Sequence, residues 1–474
     1  MVAAVDVASL YPSAIRAVNI SPETIVGQFF DNHIAYEEIM KKSDANLFFK
    51  FENGDMIEKT AAQWHEYLVD NFYSISAYGS VFDLKKDGFI PAILTEWFKQ
   101  RKFYKKGMAT AKDNMKLHPV GSDEYKKFKA EYDNCNRLQY IFKIRLNSLY
   151  GALGNVFFKF YDVRLAESTT RSGREVLMHM VRKAAELLDG EYTYPSESTI
   201  YSDTDSCYFL THAKDIDQAV EVGKAVESRI NASFPAFCTK AFLCTDKFNS
   251  LISAELDVVS SRSIFIKKKY YIMQVDWAEG SKVDKLKIMG IHLKKTTIPK
   301  QVTEVLSKIV QDLLKGADWI DISTRIVDYR DYLIEDGDLT EIGHPKSVKT
   351  GLLEATKEYN DGNKKVRMSG GVSASVFYNM CLDQYGDTES DRVLPGSKIR
   401  TYKLRRKIGR FKTIALPSDL RRTPEWFTGH FVELIDRDKQ AINLVEKPLQ
   451  IILEAIDKRV PTRQSMLFDE LVEY

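Results

Sequence analysis

The sequence predicts an α+β protein, and two features of the chain predict this class. Helix-forming residues dominate 93–117 and again 123–150, with a turn signal at 118–121 between them, which is typical of two antiparallel helices. Two short β-type runs, at 198–202 and 207–210, stand close together and are typical of a β-hairpin. The chain is therefore expected to combine a helical hairpin with antiparallel strands.

The other elements follow in order along the chain. Residues 2–10 form a short apolar run before Pro12, which predicts a buried strand, whereas residues 34–78 have no clean period. The second hairpin helix is expected to end at Gly151. Further predicted elements are helices at 167–188 and 300–315, β-rich segments at 264–274 and 285–292, a basic β-like segment at 400–414 and a tail at 464–474.

Length and composition bound the class of protein. The chain has 474 residues, 44% of them hydrophobic and 28% charged, so it is long enough for two to four compact units of an ordinary globular protein. Its net charge is only +2, and any nucleic-acid surface must come from local clusters of Lys and Arg. The five cysteines show no paired or zinc-like spacing, which favours free thiols in a reducing compartment.

The sequence predicts neither membrane insertion nor export. No apolar run reaches the roughly 18 residues that a membrane helix needs. Asp6 interrupts the apolar start of the chain, and no basic segment precedes it, unlike in a signal peptide. We therefore expect a cytoplasmic protein.

Acidic residues at two places in the chain suggest metal chemistry. Asp6 lies at the end of the first predicted strand, where a lone aspartate is usually a cap or turn residue. Asp203 and Asp205 point to the same side of an extended chain and repel each other unless cations lie between them. A D-x-D pair alone is weak, because it recurs in turns. Together the three carboxylates are the oxygen ligands that a pair of Mg²⁺ ions requires for phosphoryl transfer.

The predicted helical hairpin carries cations on both helices. Lys143, Asn147 and Tyr150 are spaced by four and three residues and share one helical face. Arg101 and Lys105 share a face of the preceding helix. A charge run of this kind is ordinarily a solvated helix face, but three cations that converge from two packed helices could bind a triphosphate.

The motifs that contain these residues resemble a known family. D-x-x-S-L-Y-P-S at 6–13, K-x-x-x-N-S-x-Y-G at 143–151 and Y-x-D-T-D-S at 201–206 resemble, in this order, the polymerase motifs of family B DNA polymerases. The stretches at 146–155, 285–290 and 465–469 narrow the resemblance to the replicative polymerases of T-even-type tailed bacteriophages. The resemblance spans nearly the whole chain but is faint from 318 to 460.

This resemblance implies a right-hand polymerase architecture, with an antiparallel-sheet palm, helical-hairpin fingers and a mainly helical thumb. The implied boundaries are 1–92 and 156–295 for the two parts of the palm, 93–155 for the fingers, 296–460 for the thumb and 461–474 for a clamp-binding tail.

The resemblance also implies roles for single residues at the catalytic and nucleotide sites. Asp6 and Asp205 would be the main ligands of two Mg²⁺ ions (or of Mn²⁺ as a substitute), with Val7 as a further ligand and Asp203 as a supporting carboxylate. The backbone N–H groups around Ser9 and Leu10 would hold phosphate oxygens, and Tyr11 would exclude a 2′-hydroxyl. The remaining implied nucleotide contacts are Arg101, Lys105 and Lys143 at the triphosphate, Asn147 beside it and Tyr150 at the nascent base pair.

DNA and clamp contacts are implied at further positions. The element at 267–271 resembles the family's K-K-R-Y element, but it contains no Arg and its register could begin at Lys267 or Lys268. The basic tract at 400–412 favours a surface that follows DNA phosphates over a merely solvated strand face. The implied DNA contacts are Gly151, Thr204, Lys268, Lys269 and Tyr270. In the tail, Gln464, Leu467 and Phe468 resemble a sliding-clamp peptide, with a frayed C-terminus as the alternative.

The sequence-based hypothesis is thus a template-directed DNA polymerase subunit of a phage replisome, located in the host cytoplasm, that acts on primer–template DNA and dNTPs. Only five residues precede Asp6, so we expect a separate polypeptide to supply the amino-terminal and 3′–5′ exonuclease domains, with a truncated chain as the alternative. The competing hypotheses are an inactive polymerase-like DNA-binding or scaffold subunit and, less favoured, a reverse transcriptase, an RNA polymerase or a protein-primed polymerase.

Overall fold

A computed structural model describes residues 1–291, 293, 296–419 and 422–466. The chain divides into two compact units, the first comprising Met1–Ser260 and Asp276–Val283 and the second comprising Ser261–Val275 and Asp284–Tyr474. Each unit combines helices with antiparallel strands, so the predicted α+β class is confirmed. Among the helices within the described ranges, none has both the length and the apolar character of a membrane span.

The helices and strands have the following bounds. Up to residue 249 they are β1 (Val2–Val7), α1 (Leu10–Val18), β2 (Ile25–Phe29), α2 (Asn32–Lys41), β3 (Asn46–Phe51), β4 (Met56–Thr60), α3 (Ala61–Asp70), β5 (Tyr73–Ile75), β6 (Ser80–Asp83), α4 (Phe89–Lys116), α5 (Asp123–Leu153), α6 (Val163–Asp189), β7 (Thr199–Asp203), β8 (Ser206–Leu210), α7 (Ile216–Phe242) and α8 (Asp246–Asn249). Three long strands follow: β9 (Ala254–Lys267), β10 (Tyr270–Ala278) and β11 (Ser281–Met289). The later elements are α9 (Lys300–Lys315), α10 (Trp319–Glu335), α11 (Leu339–Ile342), β12 (His344–Ser347), α12 (Leu352–Asn360), α13 (Gly370–Tyr385), β13 (Lys398–Ile408), β14 (Phe411–Pro417), α14 (Glu425–His430), a 3-10 turn (Val432–Leu434), α15 (Arg437–Ala441), a π-helical turn (Ile442–Glu446) and α16 (Lys447–Glu454).

Strand β1 lies inside a six-stranded sheet with the order β11-β10-β9-β1-β8-β7. It pairs antiparallel with β8 on one side and with β9 on the other. Ala3, Ala4 and Val5 are fully buried, which explains why this strand appears in the sequence as a continuous apolar run.

Strand β1 ends at Val7, so the strand predicted at 2–10 is too long, and residues from Leu10 onward are helical instead. The sheet therefore places Asp6, the first residue of the first sequence motif, next to the end of a buried strand.

A second sheet of the first unit has the order β4-β3-β2-β6-β5 and accounts for the segment at 34–78 that had no clean period. Its buried face is aromatic: the rings of Phe29 and Phe49 pack against each other and against Trp64 of α3, with ring centroids 4.8 to 5.2 Å apart. The Trp64 indole N–H donates to the Leu47 carbonyl at 3.0 Å, which satisfies the polar group of a fully buried side chain.

The predicted helical hairpin is confirmed as α4 and α5, although α4 begins at Phe89 and not at 93, and the predicted end of α5 is wrong as well. Gly151 does not end the second helix, because α5 continues to Leu153 and Gly154 is its C-cap residue. A glycine inside a helix costs only about 1 kcal/mol, and burial of Leu146 and Leu153 on this helix offsets that cost. Ser122 caps the start of α5 by accepting a hydrogen bond from the Tyr125 N–H at 3.1 Å.

The second unit contains helices α9 to α16 and a three-stranded sheet with the order β12-β13-β14. The basic β-like segment predicted at 400–414 is confirmed as the β13–β14 hairpin. Pro299 is the N-cap residue of α9 and Lys315 its last residue, so the helix predicted at 300–315 is confirmed at both ends.

Asn19 joins the end of α1 to the segment before α4. It is fully buried, and it has a left-handed backbone with φ of 59°. Its Nδ2 donates to the carbonyls of Asp83 and Lys86 at 2.6 and 2.8 Å, and its Oδ1 accepts from the Gly88 N–H at 2.9 Å.

We expect Asn19→Ala to lower the free energy of unfolding by about 3 kcal/mol, because it leaves buried backbone groups without partners. Urea denaturation of the purified chain measures this loss. The control is Asn71→Ala, which removes the 2.9 Å hydrogen bond from the Asn71 side chain to the Tyr67 carbonyl. It should lower the free energy of unfolding by about 1 kcal/mol or less. Equal losses in both variants would contradict the assigned role of Asn19.

Candidate active site

The site is built around the end of β1. Asp6 is paired with Ser206 of β8 on one side and with Glu255 of β9 on the other. One residue later, the Val7 N–H donates to the Asp205 carbonyl at 2.8 Å. Because directly opposed residues of antiparallel strands have Cα atoms about 5 Å apart, the sheet brings the backbones of Asp6 and Asp205 next to each other.

The β7–β8 hairpin turns more tightly than the sequence argument assumed. Asp203 is the last residue of β7, Thr204 has a left-handed backbone with φ of 57°, and the Asp205 N–H donates to the Asp203 carbonyl at 2.7 Å. The chain is therefore not extended through this pair, and strand alternation does not determine where the two carboxylates point. Instead, the turn holds both of them where β7 ends, beside the end of β1.

Several charged groups near Asp205 shift the pKa of its carboxyl. Burial raises the pKa of the Asp205 carboxyl, and the negative charges of Asp203 and Asp257 raise it further. A hydrogen bond to its own backbone N–H and the positive charge of Lys143 lower it. Asp205 therefore lies in a crowded acidic environment in which Lys143, from α5, supplies partial compensation.

Two tyrosines lie beside these carboxylates. The rings of Tyr11 and Tyr150 have their centroids 4.4 Å apart, with an angle of 36° between their planes. Burial raises the pKa of Tyr11, and the nearby Tyr150, Asp205 and Asp203 raise it further. Residues from all three sequence motifs therefore meet at one place.

The turn between β1 and α1 presents backbone N–H groups to the same region. Ser9 has φ of 50°, an uncommon backbone for a residue with a side chain. The turn is fixed by the Ser13 hydroxyl, which donates to the Ala8 carbonyl at 2.8 Å. Helix α1 begins at Leu10, and the Ser9 side chain makes no cap bond. The first N–H groups of a helix have no partner within it and attract anions.

Cations from α4 reach this turn and the neighbouring strand. Arg101 Nη1 donates to Ser9 Oγ at 3.2 Å, and Lys105 Nζ lies 3.3 Å from a Glu255 carboxylate oxygen. Burial lowers the pKa of Arg101, and the charges of Glu255 and Glu279 oppose that change. The Lys105–Glu255 ion pair is largely exposed and is therefore weak, so a more highly charged anion could replace the carboxylate.

Arg16 holds the base of α4 against α1. Its Nε donates to Thr95 Oγ1 at 2.9 Å, and its guanidinium carbon lies 4.4 Å from the centre of the Phe98 ring. Burial lowers the pKa of Arg16 to about 10. These contacts fix the first turns of the helix that carries Arg101.

The other candidates on α5 are accessible. Lys143, Asn147 and Gly151 are exposed, whereas Tyr150 is half-buried. Thr204, at the tip of the hairpin, is exposed as well. The candidates of the three motifs thus lie at the end of β1, at the start of α1, in the turn after β7 and along the last third of α5.

The remaining described candidates belong to the second unit. Lys268, Lys269 and Tyr270 lie in the second unit, at the β9–β10 turn, where Lys269 has φ of 65°. Lys267 Nζ lies 4.5 Å from the centre of the Tyr270 ring. Gln464 is exposed near the end of the described chain, and Leu467 and Phe468 lie outside the described residues.

Sequence reasoning missed Glu255. It is paired with Asp6 across the sheet and forms an ion pair with Lys105. The alternation of acidic and apolar residues along 254–257 is a strand signal that could have revealed it. The register of β9 against β1 shifts at Asp257, whose charge raises the pKa of Asp205.

The donor atoms at the site are carboxylate and backbone oxygens, which are the ligands that Mg²⁺ prefers. Within the described ranges, no three side chains of Asp, Glu, His or Cys are gathered closely enough to hold a metal ion by themselves. The residues of the site therefore fit a metal that takes part of its coordination from backbone oxygens, water or substrate.

Comparison with known proteins gives a consistent match. The model of DNA polymerase family B matches residues 1–369. The chain is 28% identical to the DNA-directed DNA polymerase of Escherichia phage RB69 over 375 residues, which is 65% of this chain and 38% of that relative. Similar values hold for the DNA-directed DNA polymerase of Enterobacteria phage T4, with 28% identity over 381 residues, 65% of this chain and 38% of the relative.

A third relative covers more of the chain. The DNA polymerase of Paramecium bursaria Chlorella virus NY2A is 28% identical over 375 residues, which is 77% of this chain and 34% of that protein. The chain thus spans less than two fifths of the length of these curated relatives.

Proposed function

The chain belongs to DNA polymerase family B, and we propose that it is a template-directed DNA polymerase that adds deoxyribonucleotides to a primer 3′ end. The observation that carries this proposal is the bond between the Val7 N–H and the Asp205 carbonyl, together with the pairing of Asp6 with Ser206. These contacts support a pair of carboxylates that act together. The names of the viral relatives support the same reaction class.

Asp6 and Asp205 would hold two Mg²⁺ ions, with the Val7 carbonyl as a further ligand and Asp203 as a supporting carboxylate. Two such ions, when bound, activate the primer hydroxyl and stabilise the charge on the triphosphate and on the leaving oxygen. The acidic crowding around Asp205 gives the site its affinity for cations, because divalent charge relieves the repulsion among the carboxylates.

Cationic groups of the chain would bind the triphosphate. Arg101, Lys105 and Lys143 supply positive charge from two helices, and the N-terminal N–H groups of α1, at Ser9 and Leu10, supply hydrogen-bond donors. The exposed Lys105–Glu255 ion pair would open as Lys105 turns to the phosphates.

The two tyrosines would select the incoming nucleotide. Tyr11 would lie under the sugar and leave no room for a 2′-hydroxyl, and Tyr150 would pack against the nascent base pair. Asn147 would support the nucleotide from the same face of α5. Because the two rings are in contact, the position of the Tyr11 ring at the sugar would depend on the position of the Tyr150 ring at the base pair, and the reverse.

We propose a palm, fingers and thumb for the chain, with boundaries at 1–92, 93–155, 156–295 and 296–460 and a tail at 461–474. Gly151, Thr204, Lys268, Lys269 and Tyr270 would contact the primer–template duplex, and the basic tract at 400–412 would follow its phosphates. The proposed partners in a phage replisome are a sliding clamp, bound through Gln464, Leu467 and Phe468, and a separate polypeptide with the amino-terminal and exonuclease domains.

A primer-extension assay tests the proposed reaction. We expect the purified chain to extend a DNA primer on a DNA template with dNTPs and Mg²⁺, to insert the nucleotide that the template directs, and to stop when a chelator is added. With ribonucleotides, extension should fall by about a hundredfold or more. DNA binding without extension under any of these conditions would instead indicate the inactive DNA-binding subunit.

A further inference from the structure

Gly173 of α6 lies directly against the ring of Tyr11. A Cβ atom at this position would lie 3.2 Å from both Cδ1 and Cε1 of Tyr11 and 3.4 Å from a methyl carbon of Leu10. Carbon atoms in favourable contact are about 3.5 to 4.0 Å apart. Even a single methyl group at 173 therefore requires either the ring or the helix to move.

Helix α6 is held in place in the turns just before this glycine. The Ser76 hydroxyl donates to Ser168 Oγ at 2.9 Å, and the Ala77 N–H donates to Ser172 Oγ at 3.2 Å. Both bonds are buried, so breaking them to move the helix would leave polar groups without partners. The ring of Tyr11 is the easier group to displace, because it is only half-buried.

A second neighbour of the ring limits where it can go. Tyr150 lies with its ring centroid 4.4 Å from that of Tyr11. A ring that the methyl group displaces changes its position beside Tyr150, in the region where, by the proposed function, the sugar and the nascent base pair lie.

We propose that Gly173 is a positioning residue that sets the depth of the Tyr11 ring and thereby the fit of the incoming sugar. This inference rests on the role proposed for Tyr11. With only a hydrogen at 173, the ring can lie against the helix backbone and leave room for a deoxyribose. A methyl group at 173 narrows that room by a few tenths of an ångström.

The test is the kinetics of single-nucleotide insertion by Gly173→Ala. We expect the KM for a dNTP to rise by about three- to tenfold with little change in kcat, because a narrower space weakens binding of the sugar equally in the ground state and in the transition state. Alanine favours a helix more than glycine does, so a weaker helix cannot produce this result. The matched control is Gly429→Ala in α14, where an added Cβ meets no atom within 4 Å and the kinetics should not change.

A double-variant cycle separates this inference from the role of Tyr11. In a Tyr11→Ala background, which should incorporate ribonucleotides, Gly173→Ala should no longer raise the KM. If Tyr11→Ala still excludes ribonucleotides, the proposed role of Tyr11 is wrong. If Tyr11→Ala accepts ribonucleotides, two results would overturn only the inference about Gly173. One is a KM of Gly173→Ala equal to that of the wild type, and the other is an equal rise of the KM in both backgrounds.

Thermal unfolding covers the case in which Gly173→Ala does not fold. If the single variant is unfolded but the double variant with Tyr11→Ala is folded and active, the conflict lies between the methyl group and the ring, as the inference requires. If both variants are unfolded, the methyl group conflicts with something else and the inference is overturned.

Discussion

Asp205→Asn is expected to reduce primer extension by about a thousandfold or more, because a carboxylate in the proposed metal-binding role would contribute several kcal/mol to stabilisation of the transition state. Asparagine keeps the size of the side chain but removes its negative charge. The Asp205 backbone, which accepts from the Val7 N–H at 2.8 Å, is unchanged by the substitution. Single-turnover insertion of one nucleotide, measured with saturating Mg²⁺ and dNTP, gives the size of the loss.

The stability of the same variant distinguishes loss of chemistry from loss of the fold. Burial and the charge of Asp203 raise the pKa of Asp205 in the folded protein, so ionisation costs the folded state more than the unfolded state. This cost is absent below the ordinary pKa of an aspartate and is fully present above the raised folded pKa. In metal-free buffer at neutral pH, Asp205→Asn should therefore unfold at the same urea concentration as the wild type or a higher one.

The matched control is Asp217→Asn. This carboxylate is largely exposed and pairs with Lys282 at 2.8 Å, so its loss should change stability by less than about 1 kcal/mol and leave primer extension intact. Full activity of Asp205→Asn would sink the proposed catalytic role of the carboxylate.

The elements that the sequence predicted well are long and locally determined. Helices α4 and α5 were expected because helix formers dominate each stretch, and α9 because Pro299 marks its start. The boundary predicted at Gly151 was wrong because packing of Leu146 and Leu153 outweighs the weak preference of one glycine.

The five-stranded sheet could not be predicted, because tertiary contacts determine it. Strand β3 alternates buried and exposed positions, but Phe48 is exposed on it, and both Met56 and Ile57 are exposed on β4. Apolar residues on both faces hide the period of two that marks a strand. Only the pairing of β3 with β2 and β4 reveals the sheet.

The candidate site, like the fold, has residues that the sequence predicted and contacts that it could not predict. The motif residues at the ends of β1, β7 and α5 were found from the sequence, because each motif is a continuous segment. The pairing of Asp6 with Glu255 and the contact between Gly173 and Tyr11 join distant parts of the chain, and local patterns do not carry such information. The left-handed backbone of Thr204 was missed because threonine does not favour that conformation.

Arg101→Ala is expected to raise the KM for dNTPs by about a hundredfold, since charge-assisted hydrogen bonds to a phosphate contribute roughly 1.5 to 3 kcal/mol each. The guanidinium is already partly desolvated, as its lowered pKa indicates, and its contact with Ser9 Oγ at 3.2 Å is a bond to a neutral group. Much of the cost of burying this charge is therefore met before a nucleotide binds. A triphosphate would add the opposite charge that the neutral serine lacks.

Arg101→Lys should recover only part of the loss, because an ammonium group cannot donate two parallel hydrogen bonds to a phosphate. The control is Lys102→Ala, which removes a positive charge from an exposed position next to Arg101. Steady-state insertion kinetics at two salt concentrations compare the three variants. If Lys102→Ala raised the KM as much as Arg101→Ala, and both effects vanished at high salt, then α4 would attract the nucleotide only through its general charge. A loss confined to Arg101 that persists in salt requires direct contact between this half-buried guanidinium and the phosphates.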